Sequence, residues 1–264
     1  MKPSFVNATR PLVVGMTLKR TPNEAIYAIK NCVYAGADAV AVQLCKMEKQ
    51  YKTKEELSRV FAAAAGRPIY VTDYRWNENA ARTYEECAEE LVMAMEAGGT
   101  LADVPGDFFC EDKEYQMTDN EEAIGKQMAL IDRLHALGKE VLMSAHVLRF
   151  LPAEKVLEIA KEQVRRGADI VKIVTGANSE EEEMENLRIA ALLGKELSVP
   201  FILLAAGTHA KILRMIGPCF GCFGVFAVYE HDSNAVLTQP TVAAARAVLD
   251  HFDYLPDQIG RAHV

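Results

Sequence analysis

"GADIVKIVTGAN", residues 167–178, is a run suited to a buried strand, yet it carries Lys172 in its middle. Side chains alternate along a strand, so Ile170, Lys172 and Val174 share one face. In a parallel barrel one face points to the interior and the other to the helices, and both are largely dry. A lysine there loses hydration, which disfavours the ammonium form and lowers its pKa. A lysine that is neutral near pH 7 can attack a ketone and form an iminium. The alternative is a structural lysine paired with a carboxylate, for which Asp103, Asp107 and Glu78 are candidates. Buried lysines are rare unless paired or functional, and position alone leaves both readings open.

The lysine run is one of eight short apolar runs, at 12–17, 39–44, 68–73, 101–106, 140–146, 169–175, 200–206 and 223–229. Amphipathic stretches such as "NEAIYAIKNCVYAG" and "PAEKVLEIAKEQVRRGAD" lie between them, with apolar residues at i, i+3 and i+4. Thr21-Pro22, Thr83 and Ser179 read as helix caps. Strand and helix alternate with no Pro/Ser-rich linker, which predicts an α/β fold, a closed parallel (β/α)8 TIM barrel in a single domain over 1–258. An open doubly wound sheet is the alternative. The first eleven residues are expected to cap the barrel bottom. "IGRAHV" matches the conceptual translation of a common sequencing adapter, so 259–264 is set apart as an expected non-native tail.

The 264 residues are half apolar and a quarter charged, which suits an ordinary globular protein. A net charge of −8 argues against nucleic acid as a partner. No stretch approaches the roughly 20 apolar residues of a membrane span, and the N-terminus lacks a signal-peptide h-region. Six scattered cysteines suit reduced thiols, and a cytoplasmic location is expected. "CFGC" (219–222) lacks a second pair for zinc and reads as small buried thiols. "SEEEE" (179–183) places acids in a first helical turn, where a solvated face accounts for them.

Chemistry in such a barrel sits at the C-terminal ends of the strands. His146 ends the fifth strand, in "LMSAH", next to the strand of Lys172. A histidine there can act as general acid–base beside an iminium.

At these residues the chain resembles the type I 3-dehydroquinate dehydratases. The motif S-x-H is matched by "SAH" with His146, and a lysine in A-D-I-x-K-I by "ADIVKI" with Lys172. The pattern G-x-x-x-x-x-x-R is matched by "GTHAKILR" with Gly207 and Arg214, and a glutamine before the last helix by Gln239. The resemblance implies a lyase. Lys172 would form an imine with the substrate ketone. His146 would remove the acidified C–H proton and then protonate the departing hydroxyl. Arg214 would clamp the substrate carboxylate, and Gln239 would bind the carboxylate or a hydroxyl. Neither metal nor cofactor is implied, because the iminium is the electron sink. The resemblance also implies a homodimer.

The chain departs from the family pattern at several points. An E-x-R pair at the end of strand two is replaced by Ala41-Val42-Gln43, leaving Gln43 as the substrate-facing polar group. R-x-x-x-E after strand three becomes "RWNEN", giving Arg75 for the substrate and Asn79 where the acid belongs. Glu78, one residue away, is expected to support His146 in its place. The residue after the histidine is Val147, where an acid or amide is usual. Ser233 is expected to replace a family serine, although counting back from Gln239 gives Ala235. The leading expectation is dehydration of 3-dehydroquinate, in aromatic biosynthesis or quinate breakdown. Another class I Schiff-base lyase or aldolase on a different carboxylated keto substrate comes next. A non-catalytic metabolite-binding descendant is the third reading.

Overall fold

The computed structural model describes residues 3–232 and 237–252. Ser233 and the tail 259–264 therefore lie outside the described residues. Eight parallel strands form one sheet: β1 (Leu12–Thr17), β2 (Ala39–Gln43), β3 (Ile69–Thr72), β4 (Leu101–Pro105), β5 (Glu140–His146), β6 (Ile170–Gly176), β7 (Phe201–Ala206) and β8 (Gly224–Ala227). Their order is β7-β6-β5-β4-β3-β2-β1-β8. Across the β7–β8 seam the Phe223 N–H donates to the Phe201 carbonyl at 2.8 Å. The result is the nearly closed (β/α)8 barrel that the alternating sequence predicts.

The main helices are α1 (Pro22–Tyr34), α2 (Lys54–Ala62), α3 (Tyr84–Glu96), α4 (Glu121–Ala136), α5 (Ala153–Arg165), α6 (Glu180–Glu196), α7 (Lys211–Ile216) and α8 (Val242–Leu249). Thr21 and Thr83 make full capping boxes with Glu24 and Glu86, and Ser179 caps α6. Each cap satisfies a backbone N–H that the helix leaves unpaired, for about 1 kcal/mol. The acidic start of α6 does more than face water. Glu183 is buried and accepts the Ile212 N–H at 2.9 Å, which ties α6 to α7.

The barrel interior is filled by one parity of each strand, as the two-residue period requires. Tyr70 of β3 stacks on Phe226 of β8 at 5.6 Å, a contact that crosses the interior between non-adjacent strands. Phe5 plugs the bottom. It is 1% exposed and meets Tyr70 and Phe223 edge-on at 6.5 and 6.3 Å. The Glu140 carboxylate at the start of β5 accepts from Ser4 Oγ and from the Phe5 N–H, which holds the plug in place. Cys222 is buried, with its thiol pushed up to about 12 by burial, while Cys219 is exposed. No helix among the described residues is long and apolar enough to cross a membrane.

Candidate active site

Lys172 projects from β6 into the upper barrel interior and is 5% exposed. Its Nζ lies 2.9 Å from Tyr74 Oη, 3.0 Å from Tyr70 Oη and 3.2 Å from Asp103 Oδ2. The Asp103 carboxylate, on β4, gathers four donors. Oδ2 accepts from both phenols (Tyr74 at 2.5 Å) and from Lys172, while Oδ1 accepts from Ser144 Oγ at 2.6 Å. Burial pushes this carboxyl up, but the Lys172 charge and the Ser144 and Tyr70 hydrogen bonds outweigh it and hold it below the usual carboxylate range. Burial lowers the Lys172 pKa. Asp103 opposes that fall and the Arg214 charge adds to it. The lysine thus has the carboxylate partner of the structural reading, and it also faces the barrel interior, as the catalytic reading needs.

His146 ends β5 beside this node. Its backbone N–H donates to Gln116 Oε1 at 2.5 Å, and its ring Nδ1 lies 2.9 Å from the same atom. A backbone N–H can only donate, so the shared atom is the amide oxygen. The ring proton therefore resides on Nδ1, which leaves Nε2 with a lone pair to act as base. Burial lowers the imidazole pKa to about 3, and the Lys172 and Arg214 charges add to that fall. Tyr74 and Trp76 pack against the ring at 5.3 and 6.4 Å. A cleft of about 460 Å³, lined in part by Tyr74, Arg75, Trp76, Asp107, Gln116 and His146, opens from here to the surface.

The pH behaviour of His146 follows from its folded value lying below the ordinary 6.5. Between about 3 and 6.5 the unfolded chain binds the extra proton and the folded chain does not. Stability is therefore expected to fall as pH drops through that window, with the ring still neutral at pH 5. NMR titration of the His146 ring checks this, and a midpoint near 6.5 would contradict it.

Gln116 comes from the loop between β4 and α4. Asp112 accepts the N–H groups of Glu114, Tyr115 and Met117, which shapes the tip. Buried Arg166 donates to the Gly106 and Thr118 carbonyls and so pins both ends of the loop. Gln116 itself has a left-handed φ of +53°. A non-glycine residue there is strained, and the bonds on either side hold it.

Arg214, on α7, is buried, and its Nε donates to the Ala205 carbonyl at 2.7 Å. Burial lowers its pKa to about 10, so it remains a cation at neutral pH. Gly207, at the turn that leads towards α7, has φ +116°, and an added Cβ would collide with the Ala177 carbonyl oxygen. Only glycine brings the chain from β7 into position for Arg214. Gln239 is 6% exposed, and its Oε1 has no donor among the described residues. A buried acceptor left in this state suits a ligand hydroxyl. His231 lies 2.9 Å from the Gln239 backbone carbonyl, and His209 meets Thr208 on the exposed rim.

Glu78 does not support His146. Residues Asn77–Asn79 form one 3-10 turn, in which successive side chains rotate by about 120°. The turn sends Glu78 outward, 3.6 Å from Arg20, and Asn79 inward. Gln116 takes the place expected for Glu78. Arg75 lines the cleft, but its Nε donates to the Arg82 carbonyl and its guanidinium lies 4.2 Å over the Tyr84 ring. Gln43 is half-buried at the end of β2. Asp107 lines the cleft, pushed up to about 6 by burial, and is not the Lys172 partner.

Asn79 instead joins a buried ionic cluster behind the site. It accepts from Lys52 Nζ at 2.7 Å and donates to Asp73 Oδ1 and to the Tyr74 carbonyl at 2.6 and 3.1 Å. Glu90 pairs with Lys52 at 2.8 Å and Arg82 at 2.5 Å. Burial and the Glu90 charge push Asp73 up to about 8. The cluster grips the backbone of Tyr74, whose phenol contacts Lys172. Lys52→Met is expected to destabilise the fold by about 3–5 kcal/mol, because it takes a buried cation from Glu90, leaving Arg82 alone to pair it, and a donor from Asn79. Denaturant unfolding measures it.

Sequence reasoning missed Tyr70, Tyr74 and Gln116 as site residues. For Tyr70 and Asp103 a signal exists, since each is a polar group at an inward parity of a buried strand. Gln116 had none, because a loop amide has no periodicity to mark it. Among the described residues no group of His, Cys, Asp and Glu is placed to hold a metal ion.

A family model described as Type I 3-dehydroquinase matches residues 17–256. A 3-dehydroquinate dehydratase of Alkaliphilus oremlandii is 32% identical over 107 residues, 40% of this chain. That aligned stretch spans under half of the relative's length, 42%. One from Klebsiella pneumoniae is 25% identical over 248 residues, covering 90% of this chain and 92% of that protein. In backbone, the chain is similar to the crystal structure of 3-dehydroquinate dehydratase from Geobacillus kaustophilus. The TM-score is 0.77 at 18% identity, with 93% of this chain and 92% of that one covered.

Proposed function

The chain belongs to the type I 3-dehydroquinase family, and from that premise we propose that it is a hydro-lyase working through an imine on Lys172. The observation that carries this reading is the buried Lys172, with its pKa lowered by burial, one strand away from a histidine held as a neutral base. The substrate is a carboxylated cyclic β-hydroxy ketone, with 3-dehydroquinate as the leading candidate and 3-dehydroshikimate as its product. Arg214 binds the carboxylate, and the carbonyl of Gln239 accepts a ring hydroxyl. Attack by Lys172 on the ketone yields an iminium that acidifies the neighbouring C–H. Nε2 of His146 takes that proton and returns one to the departing hydroxyl. Gln116 keeps the proton on Nδ1 throughout. Arg75 and Gln43 border the substrate, and Ser233 is a further contact that the family resemblance suggests. A homodimer and a cytoplasmic location belong to the same reading.

One observation favours a second substrate. The end of β2 carries Ala41 and Gln43 in place of a charged pair, and the phenols of Tyr70 and Tyr74 surround Lys172. A relative of dehydroquinate with fewer or differently placed hydroxyls fits that wall. The test is to mix the protein with 3-dehydroquinate, reduce with borohydride and map the adduct by mass spectrometry. An adduct on Lys172 with enone absorbance in the unreduced control supports both chemistry and substrate. An adduct without enone points to the second substrate. No adduct with dehydroquinate or a panel of keto acids overturns the imine reading.

A further inference from the structure

An ammonium group has three N–H donors. Those of Lys172 meet three oxygens: Tyr70 Oη at 3.0 Å, Tyr74 Oη at 2.9 Å and Asp103 Oδ2 at 3.2 Å. Before the amine can attack, one proton must leave through one of these contacts. The phenols are poor acceptors for it. Burial and the Asp103 charge hold both far above their ordinary pKa, so each stays protonated. Of the three oxygens that Nζ touches, the Asp103 carboxylate is the base, and both phenols donate to its Oδ2. Tyr70 is buried under Phe226, whereas Tyr74 borders the open cleft beside His146. Tyr74 therefore joins Asp103 to the space a substrate enters.

Resting on the imine reading above, we propose that Asp103 and Tyr74 carry protons in imine formation, beside the elimination assigned to His146. In the first step Asp103 takes a proton from the Lys172 ammonium, giving a free amine and a carboxylic acid. The nitrogen lone pair adds to the ketone carbon, and the C=O π pair moves to oxygen. One nitrogen proton then moves to that oxygen, leaving a neutral carbinolamine. Tyr74 next donates its phenolic proton to the carbinolamine hydroxyl and takes the proton held by Asp103. The hydroxyl departs as water while the nitrogen lone pair forms the C=N bond. Asp103 is again a carboxylate, and the net change is ammonium plus ketone to iminium plus water. Hydrolysis of the product imine runs the same carriers in reverse.

The experiment is rapid-quench borohydride trapping with 3-dehydroquinate and with pyruvate as a generic keto-acid probe. It compares the unaltered 264-residue chain with Tyr74→Phe and Asp103→Asn. Tyr74→Phe removes one hydroxyl and keeps the ring, so it also serves if Asp103→Asn fails to fold. The expected result is a trapping rate slower by about 10²- to 10⁴-fold, the usual span for loss of a general acid or base. The final yield of Lys172 adduct in Tyr74→Phe should match wild type, because a neutral proton carrier changes rates and not the equilibrium. Wild-type rates in Tyr74→Phe overturn the proposal, as does a loss of yield in proportion to rate, which marks a purely structural role. Failure of the wild-type chain to trap either probe overturns the imine reading itself, a separate outcome.

Discussion

Lys172→Met is expected to abolish the trappable adduct and to lower kcat by about 10⁴- to 10⁶-fold, the scale of losing a nucleophile that acts as a unit with its partners. Methionine matches the stem in volume and lacks only the amine. The substitution also strands Asp103, a 1% exposed carboxylate, without its cation. That costs about 3–5 kcal/mol in stability. Adding Asp103→Asn removes the orphaned charge and should recover much of the stability without recovering any activity. A structural lysine behaves differently, because stability and activity would then return together in the double variant. Denaturant unfolding beside steady-state rates separates the two, and a Lys172→Met enzyme within tenfold of wild type would remove the imine from consideration.

Arg214→Ala is expected to lower kcat/KM by about 10²- to 10³-fold, most of it as a rise in KM. The guanidinium is buried, and its Nε is already committed to the Ala205 carbonyl. Its plane is therefore set before substrate arrives, so little orientational freedom is lost on binding. Truncating one partner of a buried, hydrogen-bonded charge pair costs about 2–5 kcal/mol. The control is chemical. A substrate analogue lacking the carboxylate should bind wild type and Arg214→Ala alike, within a few-fold. If the variant weakens both ligands equally, Arg214 is supporting the fold and not reading the carboxylate. The variant should also raise the Lys172 and His146 pKa values, since the Arg214 charge depresses both.

Much of the candidate site was legible because barrels place polar groups at periodic positions. Lys172 stood out as a charge at an inward position of an apolar strand, and His146 as a polar group ending the neighbouring strand. Arg214 and Gln239 were carried by the family pattern, and both are buried. Glu78 failed for a local reason. Proximity in sequence made it a substitute for Asn79, but one 3-10 turn sends adjacent residues in different directions. Nothing in "RWNEN" reveals that rotation.

The sequence by itself determined the alternation of strands and helices, the capped helix starts and the isolated lysine, since each depends on residues within one or two turns of one another. The tertiary structure decided the partners. Lys172 and Asp103 are 69 residues apart, Lys172 and Tyr70 are 102 apart, and His146 is 30 from Gln116. Strand order, register and a pinned loop bring those groups within hydrogen-bond reach. Which carboxylate pairs with the lysine, and which oxygen sets the tautomer of the histidine, are properties of barrel closure and not of any local stretch.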